Sequence, residues 1–325
     1  MNGNTDIKGL LARFGQGRVA AAARLITILE NGGGDAEAVM DGIFSLTRGT
    51  YRIGFTGPPG AGKSSIVYLL SRLFREQDMS IGIIAVDPTS PFSGGALLGD
   101  RIRMQKLSED PKIFVRSLAS RGSLGGISNC TDEVADLLDA FGKDLILIET
   151  VGVGQSELEI AEKSHTVVVI LVPESGDSIQ AMKAGLMEIG DIFVMNKADH
   201  VDAELAVKDI EDTLRLKDVP EGHWRPPVVL TSALKETGIE ALASRIEEHR
   251  SFLEDNDLLQ EKRRLILRSR VRDAFMDTME HKLWNNSSVQ ETLDEKMKDV
   301  YAGHLSPYRL VHELEKLVRV DEGHS

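Results

Sequence analysis

Seven short apolar runs punctuate the middle of this chain: IGFTG (53–57), IGIIAVD (81–87), KIFVRSL (112–118), DLILIET (144–150), HTVVVILV (165–172), DIFVMN (191–196) and PPVVLTS (226–232). They are rich in β-branched residues and almost continuously apolar, which suits strands covered on both faces. Between them lie stretches with helical apolar spacing, such as CTDEVADLLDAFG (130–142) and SIQAMKAGLMEIG (178–190). This alternation specifies an α/β fold with a mainly parallel sheet flanked by helices, whose ligands bind at the C-terminal strand ends.

The first such end carries GPPGAGKSS (57–65), the pattern G-x-x-x-x-G-K-[ST]. Glycines let the backbone curl until several N–H groups point inward at phosphate oxygens. The loop residues are Gly57, Gly60, Ala61 and Gly62, followed by Lys63, Ser64 and Ser65. YRIGFT (51–56) reads as a buried strand before it. SSIVYLLSRLFREQ (64–77) reads as a helix after it, with Ile66, Val67, Leu69, Leu70, Leu73 and Phe74 on the apolar face. That helix offers free N–H groups and a positive dipole end to an anion. Lys63 is placed to reach the β- and γ-phosphates, and the Ser64 hydroxyl to bind Mg²⁺.

Two later strand ends bear on the base. VMNKADH (194–200) contains Asn196, Lys197 and Asp199. A carboxylate at Asp199 can accept from guanine N1–H and its 2-amino group, whereas adenine would leave it unpaired. Lys197 can lay its stem along the base, and Asn196 can tie this loop to the phosphate loop. TSALKETG (231–238) brings Ser232, Ala233 and Leu234 after the run VVL, and a main-chain N–H near Ala233 is expected to donate to guanine O6. Lys235 can cover the second face of the base.

Carboxylates fill the remaining strand ends. DLILIETVGVGQSE (144–157) ends a strand at Glu149, with Gly152 three residues on. Glu149 can hold a Mg²⁺ water or the attacking water, and Gly152 can turn its N–H to the γ-phosphate. Gln155 is a candidate to position water; a solvated loop glutamine reads the same way. IIAVDPTSPFSGGALLGDRIRM (83–104) supplies Asp87 at a strand end and Asp100. Both can bind Mg²⁺ through water, and Asp100 can equally cap the helix that RIRMQKL suggests.

Residues 1–50 read as an N-terminal helical extension, with ARLITILENGG stopping at glycines, and 51–250 as the phosphate-binding domain. Residues 251–325 are helical. Leu267, Val271, Phe275, Met279 and Leu283 form a stripe there, two further helices follow around 288–302 and 306–319, and spacing alone fits packing against the sheet domain. With 325 residues, 42% hydrophobic and 27% charged, the chain is ordinary for a globular protein. No apolar run is long enough to span a membrane, and MNGNTDIKGLLARFGQ lacks the apolar core of a secretory signal. The single cysteine, Cys130, fits a reducing cytoplasm and gives no soft-metal site. A net charge of −13 disfavours nucleic acid as a partner.

Taken together, GPPGAGKSS, AVDPTSPFSGGALLGDRIRM, ETVGVGQSE, NKAD and SALKETG resemble the MeaB/ArgK-type P-loop GTPases, whose human counterpart supports methylmalonyl-CoA mutase. ARLITILENG near the start and LSPYRLVHELE near the end also fit, so the resemblance covers essentially the whole chain. It implies a P-loop GTPase domain at 51–250 and a Mg²⁺-dependent, cytoplasmic, homodimeric GTPase. Such a protein acts as chaperone to an adenosylcobalamin-dependent acyl-CoA mutase, gating cofactor loading and helping reactivate the enzyme.

On that resemblance Lys63 and Ser64 serve phosphate and Mg²⁺; Asp87, Asp100 and Glu149 are switch carboxylates; Asn196, Lys197 and Asp199 read the base. VPESGDSIQAMKAG (172–185) matches the loop that couples the family to its mutase, with Gly176, Asp177, Gln180 and Lys183 as its candidate residues. Residues after about 251 become the dimerisation arm, against the packing that spacing favours. Alternatives are a GTPase that inserts metal into enzymes, which calls for Cys/His clusters, and a small-molecule kinase, which needs an acceptor pocket and a base.

Overall fold

The structure, a computed structural model, describes residues 6–87, 106–119, 130–150, 156–173, 185–217 and 219–321. Three helices lead: α1 (Ile7–Gly15), α2 (Val19–Asn31) and α3 (Gly34–Ile43). The sheet strands are β1 (Tyr51–Thr56), β2 (Ile81–Asp87), β3 (Ile113–Ala119), β4 (Leu145–Glu149), β5 (Thr166–Leu171), β6 (Ile192–Met195) and β7 (Val228–Leu230). Helices α4 (Lys63–Glu76), α5 (Thr131–Ala140), α6 (Ser156–Glu159), α7 (Ala203–Arg215) and α8 (Ile239–Asp255) lie between and after them. Then come α9 (Leu258–Trp284), α10 (Ser287–Tyr301) and α11 (Pro307–Asp321).

Every neighbouring pair of strands is parallel, in the order β3-β2-β4-β1-β5-β6-β7. The unbroken apolar runs follow from burial on both sides. In β4, Leu145 and Leu147 face the cluster that contains Leu70, Phe74, Leu242 and Ile246 of α4 and α8. Ile146 and Ile148 face the opposite cluster, with Leu25 and Leu29 of α2, Val134 and Leu138 of α5, and Ile210 of α7. The leading helices thus bury their apolar face in the same core as the sheet.

One central strand carries a charge. Arg52 of β1 is 7% exposed and donates to Asp132 (3.0 Å) and Asp136 (2.6 Å), one turn apart on α5. Lys163 also reaches Asp132, at 2.7 Å, so two cations and two carboxylates balance inside the protein. Removing one partner would strand a buried charge, which is far costlier than never having the pair. A turn further along, Asp139 accepts from the main-chain N–H groups of Arg48, Gly49 and Thr50 at 2.8–3.1 Å and from the Thr50 hydroxyl at 2.7 Å. This carboxylate fixes the entry into β1.

The chain divides into two compact units, residues 1–263 and 264–325, the division falling inside α9. The second unit has its own small core, Val289, Leu310 and Leu314, against which Leu283 and Leu293 pack. Asn286 caps α10 by accepting from Val289 N at 3.2 Å. Of the stripe on α9, Val271 is 71% and Phe275 59% exposed, as is their neighbour Met276 at 60%. Among the described residues no helix is long and apolar enough to cross a membrane.

Two histidines lie inside the first unit. His249 meets Thr166 Oγ1 at 2.8 Å, and burial pushes its pKa down from 6.5 to about 4, the nearby Asp191 opposing this. His165 accepts from Arg52 N at 2.9 Å and is held well below its usual value by burial and then by the Arg52 charge. The unfolded chain binds protons at both sites below about pH 6.5, whereas the folded chain does not, so stability falls as pH drops through this window. Thermal melts at about pH 7.5 and 5.5 are expected to show a loss of roughly 1 kcal/mol per histidine. His249→Gln should flatten the slope; an unchanged pH dependence in that variant would contradict the assignment.

Candidate functional site

The phosphate loop grows out of β1, and its shape is dictated by what lies against it. Gly57 has φ 132°, and a Cβ there would sit 2.0 Å from Ile170 O of β5. Gly62 has φ 90°, and a Cβ there would lie 2.4 Å from Asn196 Nδ2. Neither position tolerates a side chain. Gly62 then caps α4, whose first residues are Lys63, Ser64 and Ser65. Lys63 is 6% exposed, and its ammonium donates to Gly57 O (2.7 Å) and Pro58 O (3.0 Å). Gly60 has φ 74°, and Ala61 is fully buried.

Next to this loop, β4 delivers Glu149. The Ser64 hydroxyl donates to Glu149 Oε1 at 2.6 Å, joining the start of α4 to the end of β4. The donors here are a hydroxyl and a carboxylate, hard oxygens of the type that Mg²⁺ prefers. Asp87 ends β2, pairing in register with Ala119. Asp100, Gly152 and Gln155 lie outside the described residues, as do Gly176, Asp177, Gln180 and Lys183.

Asn196, buried at the end of β6, bridges three segments. Its Nδ2 donates to Ala61 O of the phosphate loop at 2.7 Å. Its Oδ1 accepts from Thr231 Oγ1 (3.2 Å) and Ala233 N (3.1 Å). The Ala233 N–H that sequence reasoning aimed at a base is therefore engaged by Asn196, with Leu234 next along the chain. Thr231 was not singled out from the sequence. Its signal is a hydroxyl directly after the apolar run VVL, where the chain must turn beside another strand end.

Asp199 is exposed, and Ser232 Oγ donates to its Oδ1 at 2.6 Å. That hydrogen bond leads the causes that hold the Asp199 carboxyl below its usual range. As an ionised carboxylate the side chain is a pure acceptor at neutral pH. The Ser232–Thr237 segment closes on itself through Ser232 N to Thr237 O (3.0 Å) and its converse (3.1 Å). Lys197 holds a left-handed φ of 60° beside Asp199.

A cleft of about 550 Å³ lies at the opposite end of the strands, lined by Tyr51, Phe74, Glu247 and Arg250 among others. Two of its polar groups are already engaged, Tyr51 with Thr166 and Arg250 with Glu254. The convergence of donors and acceptors is at the C-terminal ends of β1, β4, β6 and β7.

A family model described as methylmalonyl Co-A mutase-associated GTPase MeaB matches residues 22–288. The chain belongs to the MeaB family of P-loop GTPases. A putative GTPase of Pyrococcus abyssi is 44% identical over 93% of this chain and 94% of its own length. The mouse protein named methylmalonic aciduria type A homolog, mitochondrial, is 34% identical over 80% of this chain and 63% of its own length. A solved structure titled LAO/AO transport system kinase superposes with a TM-score of 0.73 at 25% identity, covering 98% of this chain and 99% of that one. Binding of GTP and GDP goes with this family, and the fold is a P-loop GTPase fold with a seven-stranded, all-parallel sheet flanked by helices.

Asn196→Ala should strip partners from Ala61 O, the Thr231 hydroxyl and Ala233 N. At about 1–3 kcal/mol for each buried group left unpaired, thermal melts should drop clearly and guanine-nucleotide affinity should fall at least tenfold. Asn196→Asp, which keeps the acceptor but buries a carboxylate oxygen against Ala61 O, should be at least as destabilised as the alanine variant. A wild-type melt and affinity in the alanine variant would show that the bridge is not a structural tie.

Proposed function

We propose that this chain is a GTP-hydrolysing chaperone of an adenosylcobalamin-dependent acyl-CoA mutase, methylmalonyl-CoA mutase or a close relative. The observation that carries the nucleotide half is the Asn196 bridge, which sets a phosphate loop and a guanine-type base loop side by side. The client half rests on the description of the family, mutase-associated, and on the mouse relative.

In this reading the loop N–H groups of residues 57–62 and the N-terminus of α4 receive the phosphates. Lys63 exchanges the Gly57 and Pro58 carbonyls for β- and γ-phosphate oxygens. Ser64 and Glu149, with Asp87 and Asp100, would hold Mg²⁺, which when bound neutralises charge on the phosphates. The Asp199 carboxylate, hydrogen-bonded by Ser232, accepts from guanine N1–H and the 2-amino group. With the Ala233 N–H engaged by Asn196, the neighbouring Leu234 main chain would face O6, and Lys197 and Lys235 flank the ring. Gln155 and Gly152 serve the attacking water and the γ-phosphate.

Hydrolysis then drives segments 87–100, 149–157 and 172–185 rather than making a product, with Gly176, Asp177, Gln180 and Lys183 transmitting the change to the mutase. The exposed Val271, Phe275 and Met276 on α9 supply an apolar surface for a second copy, which makes the second unit the dimer arm. One solved relative is titled a kinase, so phosphate transfer to a small-molecule acceptor is the reading to set against this one.

Asp199→Asn should weaken guanine nucleotide binding roughly 10- to 100-fold, because hydrogen bonds to a charged acceptor are lost. Equal affinity of the wild type for GTP and ATP would overturn the base assignment. Purified mutase should accelerate release of labelled phosphate from GTP into water. A rate unmoved by every acyl-CoA mutase in a panel would refute the chaperone role, and label on an acceptor would establish the kinase instead.

A further inference from the structure

Where β1 and β4 part, one side chain holds them together. Their register ends with Phe55 opposite Glu149. Beyond it β1 turns into the phosphate loop, and β4 continues into Thr150. Thr150 N donates to Phe55 O at 3.0 Å, extending the ladder by one bond. Its hydroxyl adds a contact the ladder does not require, lying 3.2 Å from Phe55 O and 3.3 Å from Thr56 Oγ1. Both threonines are fully buried. A β-branched side chain is restricted at χ1, so holding the hydroxyl in place costs little side-chain entropy.

Thr150 is bonded to Glu149, whose carboxylate meets the Ser64 hydroxyl, and Thr56 is bonded to Gly57, the first residue of the loop. We propose that Thr150 is a positioning residue: its hydroxyl, clamped to Phe55 O and Thr56 Oγ1, fixes the end of β4 so that Glu149 is aimed at Ser64. This rests on the reading of Ser64 and Glu149 as the pair that would hold Mg²⁺. Loss of the hydroxyl frees Glu149 to swing off Ser64 and weakens the oxygen pair as a unit. The phosphate loop keeps its ties to β5 and Asn196, so its own grip on nucleotide is preserved.

The test uses the full chain, a fluorescent guanine nucleotide diphosphate and a magnesium titration. Thr150→Val keeps the shape of the buried side chain and removes only the hydroxyl. It should need about fivefold or more Mg²⁺ to reach half of the metal-dependent tightening, the scale of one net hydrogen bond. Its affinity in EDTA should stay within about twofold of wild type, because the direct loop contacts are untouched. Thr150→Ser should restore the wild-type midpoint. Thr56→Val, which removes one partner from the other strand, should shift the midpoint in the same direction by less.

A wild-type magnesium midpoint in Thr150→Val, or in Thr56→Val should the first variant not fold, overturns the inference. So does a Thr150→Ser variant as impaired as the valine, or an equal loss of affinity in EDTA, which marks general support of the fold. A wild-type protein whose nucleotide binding ignores Mg²⁺ overturns the reading of the Ser64–Glu149 pair and this inference with it. A responsive wild type with an indifferent Thr150→Val overturns this inference alone.

Discussion

The amide of Asn196 is the constraint from which the rest of the site follows. It donates to the phosphate loop and accepts from the loop after β7, so three strand ends are locked at distances fixed by one side chain. That proximity explains Gly62, where any Cβ would collide with Asn196 Nδ2, and Gly57, where it would collide with the main chain of β5. The glycines of the motif serve two ends. They free backbone N–H groups for anions, and they let a loop sit against strands that have no room for side chains.

The Ser64–Glu149 contact sets the second axis of the site. It runs from the start of α4 to the end of β4, across the sheet from the base loops. A helix N-terminus, an ammonium and a hydroxyl converge from one side, and a carboxylate from the other. Such a mixture of cationic, hydroxyl and carboxylate groups suits a polyphosphate carried with a hard cation. The exposed Asp199 stands apart from this cluster and accepts a hydrogen bond from the Ser232 hydroxyl.

Much of the fold was legible because burial on both faces leaves an unmistakable mark. Each of the seven apolar runs coincides with a strand, within a residue or two at the ends. Strand order is another matter, since nothing in a run of valines says which neighbour it takes. Arg52 shows a second limit: in sequence it sits in a buried strand without a visible partner, and only the fold brings Asp132 and Asp136 beneath it. The division between the two units was hidden for a similar reason. It falls within α9, where neither glycine nor proline interrupts the helix. In the site, the motifs pointed to the loops after β1, β6 and β7, which the fold brings together, but the engagement of Ala233 N by Asn196 and the contacts of Thr231 and Thr150 depend on neighbours distant in sequence.

Asp139 ties the beginning of the chain to its centre. Its carboxylate, almost wholly buried, is hydrogen-bonded by the amides of residues 48–50, and these belong to the connection between the leading helices and β1. A shortened chain starting at the first strand would bury an anion with nothing to receive, and would also bare the apolar side of the sheet that α2 covers. The three leading helices are thus no detachable preface: the smallest autonomous version of this nucleotide-binding unit has to include them.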